Sequence, residues 1–483
     1  MKKDLPLFFI FTILTFIFFF AFSFGLLKHI FLAAVPLGSL GIVFYHFSKN
    51  TKTPGILLII FAISLCFGAF SHSRIEFETS SFFWGLVPSQ IHKINGKIVA
   101  DSVETSNHYK SFKIWLYSVS NKDETLITQA KGILPVIADT KQDFFMGQLI
   151  TIKSQPIVNQ NRGWFLFCGA ENISVNKPSF PALQWRINIL QNFIRKIDAY
   201  FGSFGSLFKA LFLGIKSDIP PDTNKAFQDS GTLHLLALSG LHVGIIYLAI
   251  LFLAQIIPQK TLQFLIASFC ILFYLFLIGP RPSLFRASLM IILFAFGIQI
   301  KRESHGLSII SLSAIIILLL NPNDCLSLSF QFSYAAILGI AIFGPYINHL
   351  LKKYLPASLS MPLSLSISAQ WTVSPLLIFH FGFINPFSIL YTLVLTPLIT
   401  ISLWLGIILL ALSFFLPASF LQYFQIPCGF IWVLIQFILN PRFILPGITI
   451  SFPFLFLCFY GIVCLYLLKK SYGINIKRIM PTK

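Results

Sequence analysis

Stretches of eighteen or more residues without a charge recur along this chain, for example TLQFLIASFCILFYLFLI at 261–278. Eighteen residues in a helix span about 27 Å, close to the roughly 30 Å hydrocarbon core of a bilayer. Lipid offers the backbone no hydrogen-bond partners, so such stretches must be helices that pair their own N–H and C=O groups. Composition agrees. Of 483 residues, 56% are hydrophobic and only 11% charged, whereas soluble domains are typically about 45–50% apolar and about 25% charged. The chain reads as a polytopic α-helical membrane protein.

Three spans come first, near 5–26, 29–47 and 54–71. The opening MKKD resembles a signal-peptide lead, but the apolar stretch behind it is too long and lacks a small-x-small cleavage site. Lys2 and Lys3 precede the first span, and Lys49 and Lys52 lie between the second and third. Cytoplasmic loops collect Lys and Arg, so the N-terminus is placed in the cytoplasm and the chain after residue 71 outside.

Residues 72–182 lose the apolar continuity. INGKIVADSVE, YKSFKIWLYSV, QLITIKSQPIV and GWFLFCGAENISV alternate in short stretches, which predicts about five strands. That count suits an OB-like β-barrel, with a sandwich as the alternative. Residues 183–200 put apolar side chains at 183, 187, 190, 193/194, 197 and 200, with Arg186, Arg195 and Lys196 elsewhere on the wheel. This predicts an amphipathic helix lying on the membrane surface. A polar linker runs to residue 230, where Pro220-Pro221 is expected to break any helix. Asp229, Ser230 and Thr232 are candidate caps for the next span.

About nine further spans follow, near 234–257, 260–279, 283–300, 307–320, 329–349, 361–381, 385–413, 418–440 and 449–469. Pro397 leaves 385–413 open between one tilted helix and two. Counting forward puts Lys260, Lys301/Arg302, Lys352/Lys353 and the basic tail in the cytoplasm, and Asp324 and Arg442 outside. The expected organisation is therefore about 12 transmembrane helices with an extracytoplasmic β-domain inserted after the third. Its units are 1–71, 72–182, 183–230, 231–470 and a cytoplasmic tail at 471–483. The formal net charge of +19 is attributed chiefly to cytoplasmic loops, a nucleic-acid partner being its other source. The seven cysteines are scattered, with no metal-ligand spacing and no readable disulfide framework.

Polar residues inside these spans are the candidates for function. On an unbroken helix, Ser239 would lie about 60° to one side of His242 and His234 about 80° to the other. Gly240 and Gly244 would lie about 160° away, with the spacing that lets helices approach closely. Arg281 stands at a predicted outer boundary and Arg286 one turn inside; snorkelling or a lining of an anion-accessible cavity would explain them. Gln331 and Ser333, with Gln370, Thr372 and Ser374, suggest a polar seam. From residue 231 onward only Glu303 and Asp324 are acidic. That disfavours a proton or metal-cation transporter, which needs intramembrane carboxylates.

The string GTLHLLALSGLHVG resembles the signature of the ComEC family of competence proteins, through Gly231, Thr232, His234, Leu235, Leu236, Ser239, Gly240, Leu241, His242 and Gly244. PSLFRASLM resembles the family's second motif, through Pro282, Ser283, Arg286, Ala287 and Met290. SFQFSYAAILGI resembles the third, through Phe330, Gln331, Ser333 and Ala335. Where the family often has Asn ahead of a membrane proline, this chain is aligned with Thr392 before Pro397.

The resemblance implies transport of single-stranded DNA across the inner membrane during natural transformation. His234, Ser239, Gly240, His242, Gly244, Arg281, Arg286, Gln331 and Ser333 would line or organise the path. In the β-domain, Trp115, Tyr117, Trp164 and Phe165 are either base-stacking residues or barrel core. Implied partners are single-stranded DNA, membrane lipids, a DNA receptor, a separate nuclease and an ATP-driven helicase, with a homodimer left open. Many family members end in a metallo-β-lactamase-like domain bearing His-x-His-x-Asp-His. No such cluster occurs in this sequence, so a short form without nuclease activity, metal or cofactor is expected. The alternatives are an intramembrane serine hydrolase using Ser239 with His242 or His380, and a small-solute permease with a histidine-lined pore.

Overall fold

The computed structural model describes residues 90–449 except 100, 105–108, 123–126, 131, 141, 160–162, 177, 179, 280, 301–305, 322–323, 325–326, 441, 443 and 446. The three N-terminal spans, residues 72–89, the last span from residue 450 and the basic tail lie outside the described residues.

The alternating segments form one sheet of nine strand segments: β1 Lys93–Ile98, β2 Val103–Glu104, β3 Lys110–Ser120, β4 Ile127–Gln129, β5 Ile133–Asp139, β6 Leu149–Ile152, β7 Ile157–Asn159, β8 Gly163–Gly169 and β9 Ile173–Asn176. Their order is β7-β8-β5-β3-β1-β6-β9, with β2 and β4 also on β3. Nine replace the expected five partly because 149–159 is interrupted between β6 and β7, and partly because β2 and β4 add short pairings to the long β3. β6 pairs β1 at one end of the order while β7 pairs β8 at the other. Only residues 153–156 separate β6 from β7. A link that short reaches at most about 18 Å, so the sheet must roll toward a barrel. β5 and β8 run parallel and the other described pairs run antiparallel.

Alternation decides which side faces in. On β3, Phe112, Ile114 and Leu116 are buried while Lys113, Trp115 and Tyr117 are exposed. The inner face joins Ile94, Ile98, Leu134, Val136, Ile150, Ile152 and Leu166 in one core. Gly96 sits where β1 and β3 slip register, and a Cβ there would meet Trp115 O at 2.7 Å.

Helix α1 (Pro181–Tyr200) follows. It does not lie free on a surface. Arg186, expected on the polar side, is fully buried, with Nε donating to the carbonyls of Phe276 and Leu277 at 2.9 Å. Its Nη1 and Nη2 bind both oxygens of Asp101 from the β-domain. Near the other end of α1, Lys196 Nζ donates to Ser413 O at 2.7 Å.

The expected linker is itself structured. α2 (Phe204–Phe208) continues into a π-helical turn at Lys209–Leu213. Phe201, Phe204, Phe208 and Phe212 stack face on face along it. Pro220-Pro221 starts a helix, α3 (Pro221–Asp229), with Pro221 in the first turn. There proline loses no hydrogen bond that a helix would use.

The helical body then comprises α4 (Leu233–Leu236), α5 (Gly240–Ala254), α6 (Lys260–Ile278), α7 (Pro282–Gln299), α8 (Gly306–Leu320), α9 (Leu328–Leu351), α10 (Ala357–Phe381), α11 (Ser388–Leu412) and α12 (Ala418–Ile438). α11 is one helix with Pro397 inside it. Among the described residues, six helical segments are long and apolar enough to cross a membrane: 233–254, which joins α4 and α5 across a short break, 260–278, 282–299, 328–351, 388–412 and 419–438. Their outward side chains include Phe252, Phe269 and Phe430, each more than two-thirds exposed. Such an apolar exterior suits lipid, not water. α9 and α10 pack most intimately. Gly339 leaves no room for a Cβ beside Ser368 and Thr372, and Thr372 Oγ1 donates to Ala335 O at 2.8 Å.

Candidate functional site

The glycine- and histidine-bearing string at 231–244 is a built turn followed by a broken helix. Gly231 takes φ +72, and a Cβ there would meet Ser388 Cβ at 2.8 Å, so glycine lets α11 close on the turn. Ser230 Oγ and Thr232 Oγ1 are 2.7 Å apart and buried, and Ser230 also donates to Phe227 O at 3.1 Å. They lock the turn; Thr232 stands at the N-cap of α4, but its side chain makes no capping bond there. His234 is exposed, its Nδ1 3.2 Å from Gly231 O.

The unbroken helix expected across 234–242 is not there. α4 ends at Leu236, Ala237 is extended, and Ser239 is the N-cap of α5. Ser239 N–H donates to His242 Nδ1 at 3.0 Å, while Ser239 Oγ accepts from the His242 backbone N–H, a reciprocal capping box. The polar arc of three residues therefore reduces to one pair, with His234 on a separate turn. Nor, among the described residues, do the glycines form a packing ridge. A Cβ on Gly240 would meet only Ala287 at 3.8 Å, and one on Gly244 nothing within 4 Å.

Accepting the backbone N–H makes Nδ1 the lone-pair nitrogen, which leaves the proton on Nε2 of a neutral ring. That Nε2 is buried without a partner among the described residues. Ser239 Oγ lies 3.0 Å from Nδ1, the contact a hydrolase would need. However, the same lone pair already accepts Ser239's own N–H, and no described acid orients the ring.

The two arginines are both held by backbone oxygen. Arg286 is buried, not snorkelling. Its Nη2 donates to Ser329 O at 2.7 Å and Ser329 Oγ at 2.9 Å, joining α7 to α9. Its Nε and Nη1 have no partner among the described residues. Gln331 and His380 meet at 3.3 Å across α9 and α10, and Ser333 is half-buried next to Tyr334, whose hydroxyl lies 3.0 Å from Ser313 Oγ.

Arg281 Nη1 donates to Gly214 O at 2.9 Å. Gly214 has φ +71, and a Cβ would stand 2.5 Å from that nitrogen, so only glycine admits the guanidinium. The two residues edge a cavity of about 390 Å³ between the sheet, α1, the 214–219 loop and the α6–α7 turn. Lys110, Lys216, Asp101 and Asp143 also line it. Burial, and then the Arg281 charge, lower the proton affinity of Lys216. Below the cavity Lys209 binds Asp198 at 2.6 Å and also Asp218.

On the sheet, Lys113, Trp115 and Tyr117 share the exposed side of β3, with Ile133 of β5 opposite Trp115 also exposed. Trp115 and Tyr117 are thus surface residues, not barrel core. Phe165 on β8 is half-buried, and the Trp164 side chain lies outside the described residues.

Sequence reasoning missed three positions. Lys216 and Asp101 sat in stretches read as linker and strand. Asn385 was placed inside a span, yet its buried amide donates to Asp229 O at 2.8 Å and Leu445 O at 3.2 Å. The signal for it was Asn385-Pro386, a turn dipeptide.

The family described as Competence protein matches residues 211–471. An uncharacterized protein of Aquifex aeolicus (strain VF5) is 29% identical over 232 residues, 48% of this chain and 53% of that protein. ComE operon protein 3 of Bacillus subtilis (strain 168) is 32% identical over 221 residues, 44% of this chain and 27% of that protein. The matches thus span about half and about a quarter of these relatives' lengths. No solved structure matches the chain.

Proposed function

The chain belongs to the Competence protein family, and on that premise we propose that it passes single-stranded DNA across the inner membrane during natural transformation. The observation that carries this reading is the family match over 211–471, which contains the 231–244 turn, both arginines and the Gln331 region. The exposed sheet face supports it. In an OB fold the second and third strands commonly receive nucleic acid, and rolled order, parallel β5–β8 pairing and β1–β6 pairing favour that assignment. On this mapping β3 and β5 are those strands, and β3 presents Lys113, Trp115 and Tyr117 outward. Aromatic faces stack bases regardless of sequence, and a cation follows the phosphates.

In the proposed arrangement about 12 helices cross the membrane, units divide at 71, 182, 230 and 470, and the termini face the cytoplasm. A DNA receptor delivers the strand, a separate nuclease removes its complement, and a cytoplasmic ATP-driven helicase draws it in. The chain acts as a conduit and not as an enzyme, and Ser239 and His242 organise the start of α5. The test is uptake of labelled duplex DNA by a transformable host whose own gene is deleted, with and without this chain. The expected result is DNA retained outside the inner membrane in the deletion and one strand in the cytoplasm once the chain is restored. Normal strand entry without it would overturn the proposal.

A further inference from the structure

The cavity edged by Arg281 carries positive charge that its own acids do not neutralise. Of the two lining carboxylates, Asp101 is held by the buried Arg186 through two hydrogen bonds. Asp143 pairs with Lys110 at 2.9 Å. Lys216 and Arg281 remain, and neither has a carboxylate within ion-pair distance among the described residues. Burial, and then repulsion from Arg281, disfavours the charged form of Lys216. An anion sharing that half-buried rim would favour the charged form of both groups. The fold maintains them there: Gly214 brings the 214–219 loop under the guanidinium, and Lys216 follows two residues later.

We propose that Lys216 and Arg281 form a phosphodiester-binding subsite at the junction of the β-domain and the helical body. This rests on the DNA-transport reading and adds where the strand's backbone is first gripped on leaving the sheet. The planar guanidinium suits two phosphate oxygens, and the ammonium supplies a point charge. The volume of about 390 Å³ lies within the range of ligand pockets, about 300–1,000 Å³. Apolar Leu190, Ile194 and Ile278 line the rest, a surface a base or sugar can cover.

The test uses the purified full-length protein in detergent and a fluorescent oligo(dT) titrated over a range of salt. Lys216→Gln and Arg281→Gln are expected to bind about tenfold more weakly at low salt, as for loss of one charge-assisted hydrogen bond. Each should flatten the salt slope by about 0.7, and Lys216→Arg should restore both. Arg281 also holds the Gly214 carbonyl, so Lys216→Gln, which removes no hydrogen bond seen in the structure, is the deciding variant. Unchanged oligo(dT) binding by Lys216→Gln, with binding weakened by Trp115→Ala, would overturn the subsite and leave the transport reading standing. Failure of the wild-type protein to bind oligo(dT) would overturn both. A Lys216→Gln protein that loses phosphatidylglycerol vesicles but keeps oligo(dT) would assign the site to a lipid headgroup and refute the proposal.

Discussion

Replacing Asp101 by alanine tests the most heavily engaged polar contact between the two parts of the molecule. Arg186 is fully buried and Asp101 18% exposed on its side chain. The guanidinium makes four hydrogen bonds, two to Asp101 and two to the Phe276 and Leu277 carbonyls. Asp101 Oδ1 also accepts Met146 N–H at 2.7 Å. Removing the carboxylate leaves a cation with half its partners and no counter-charge, which costs about 3–5 kcal/mol. The orphaned Met146 N–H adds about 1 kcal/mol if water cannot reach it. Replacing both partners by apolar residues should cost much less, because a buried pair and its apolar replacement are often near equal. Asp101→Ala, Arg186→Met and the double variant therefore form a cycle with an expected coupling of about 3 kcal/mol. Reversible unfolding in mixed micelles, followed by tryptophan fluorescence, would measure it. An Asp101→Ala protein within about 1 kcal/mol of wild type, with additive singles, would mean a solvated pair, and the clamp argument would be wrong.

Ser239→Ala removes the cap of α5 and should cost about 1 kcal/mol in the same unfolding assay; a loss of DNA entry without that destabilisation would instead mark Ser239 as a pathway residue. Gly406→Ala would drive a Cβ into the ring of Phe208, which is stacked between Phe201 and Phe212 and cannot turn aside. A loss of about 1–3 kcal/mol is expected, and an unchanged stability would show that the stack yields. Burial alone would raise the Asp218 carboxyl, but the hydrogen bonds from Lys209 and Ser217 and the nearby cations outweigh it and hold it below the ordinary range. Its stabilisation is therefore present at neutral pH and lost as pH falls through that depressed value, below about 3.9. Wild type and Asp218→Asn should differ by a constant amount above about pH 5 and converge progressively as pH falls below about 3.9; a gap that does not narrow over that acid range would contradict the assignment.

What could be read from the sequence is what neighbours along the chain decide. KSFKIWLYSVS alternates, and β3 buries every second residue as far as Leu116. The eight described helices of the body from residue 240 onward follow the apolar stretches closely, because lipid rewards nothing else. The errors fall where a distant partner overrides a local pattern. Arg186 belongs to the polar side of its wheel until Asp101, 85 residues away, supplies a counter-charge. Asn385 reads as span until the carbonyls of Asp229 and Leu445 need a donor. The break at 237–239 is the instructive case, because Ala-Leu-Ser contains neither proline nor glycine. Part of its cause is remote: Leu238 is buried and reaches Gly214, where a Cβ would stand 2.8 Å from it. Yet part was in plain view. Ser239-Gly-Leu-His242 has the spacing of a capping box with histidine in the place of glutamate, which a strictly helical projection hides by treating every residue as interior. Polar residues at the start of an apolar run should therefore be tested first as caps. Only those left over, here the nitrogens of His242 and Arg286 without a partner among the described residues and the uncompensated Lys216, then remain as candidates for the proposed path.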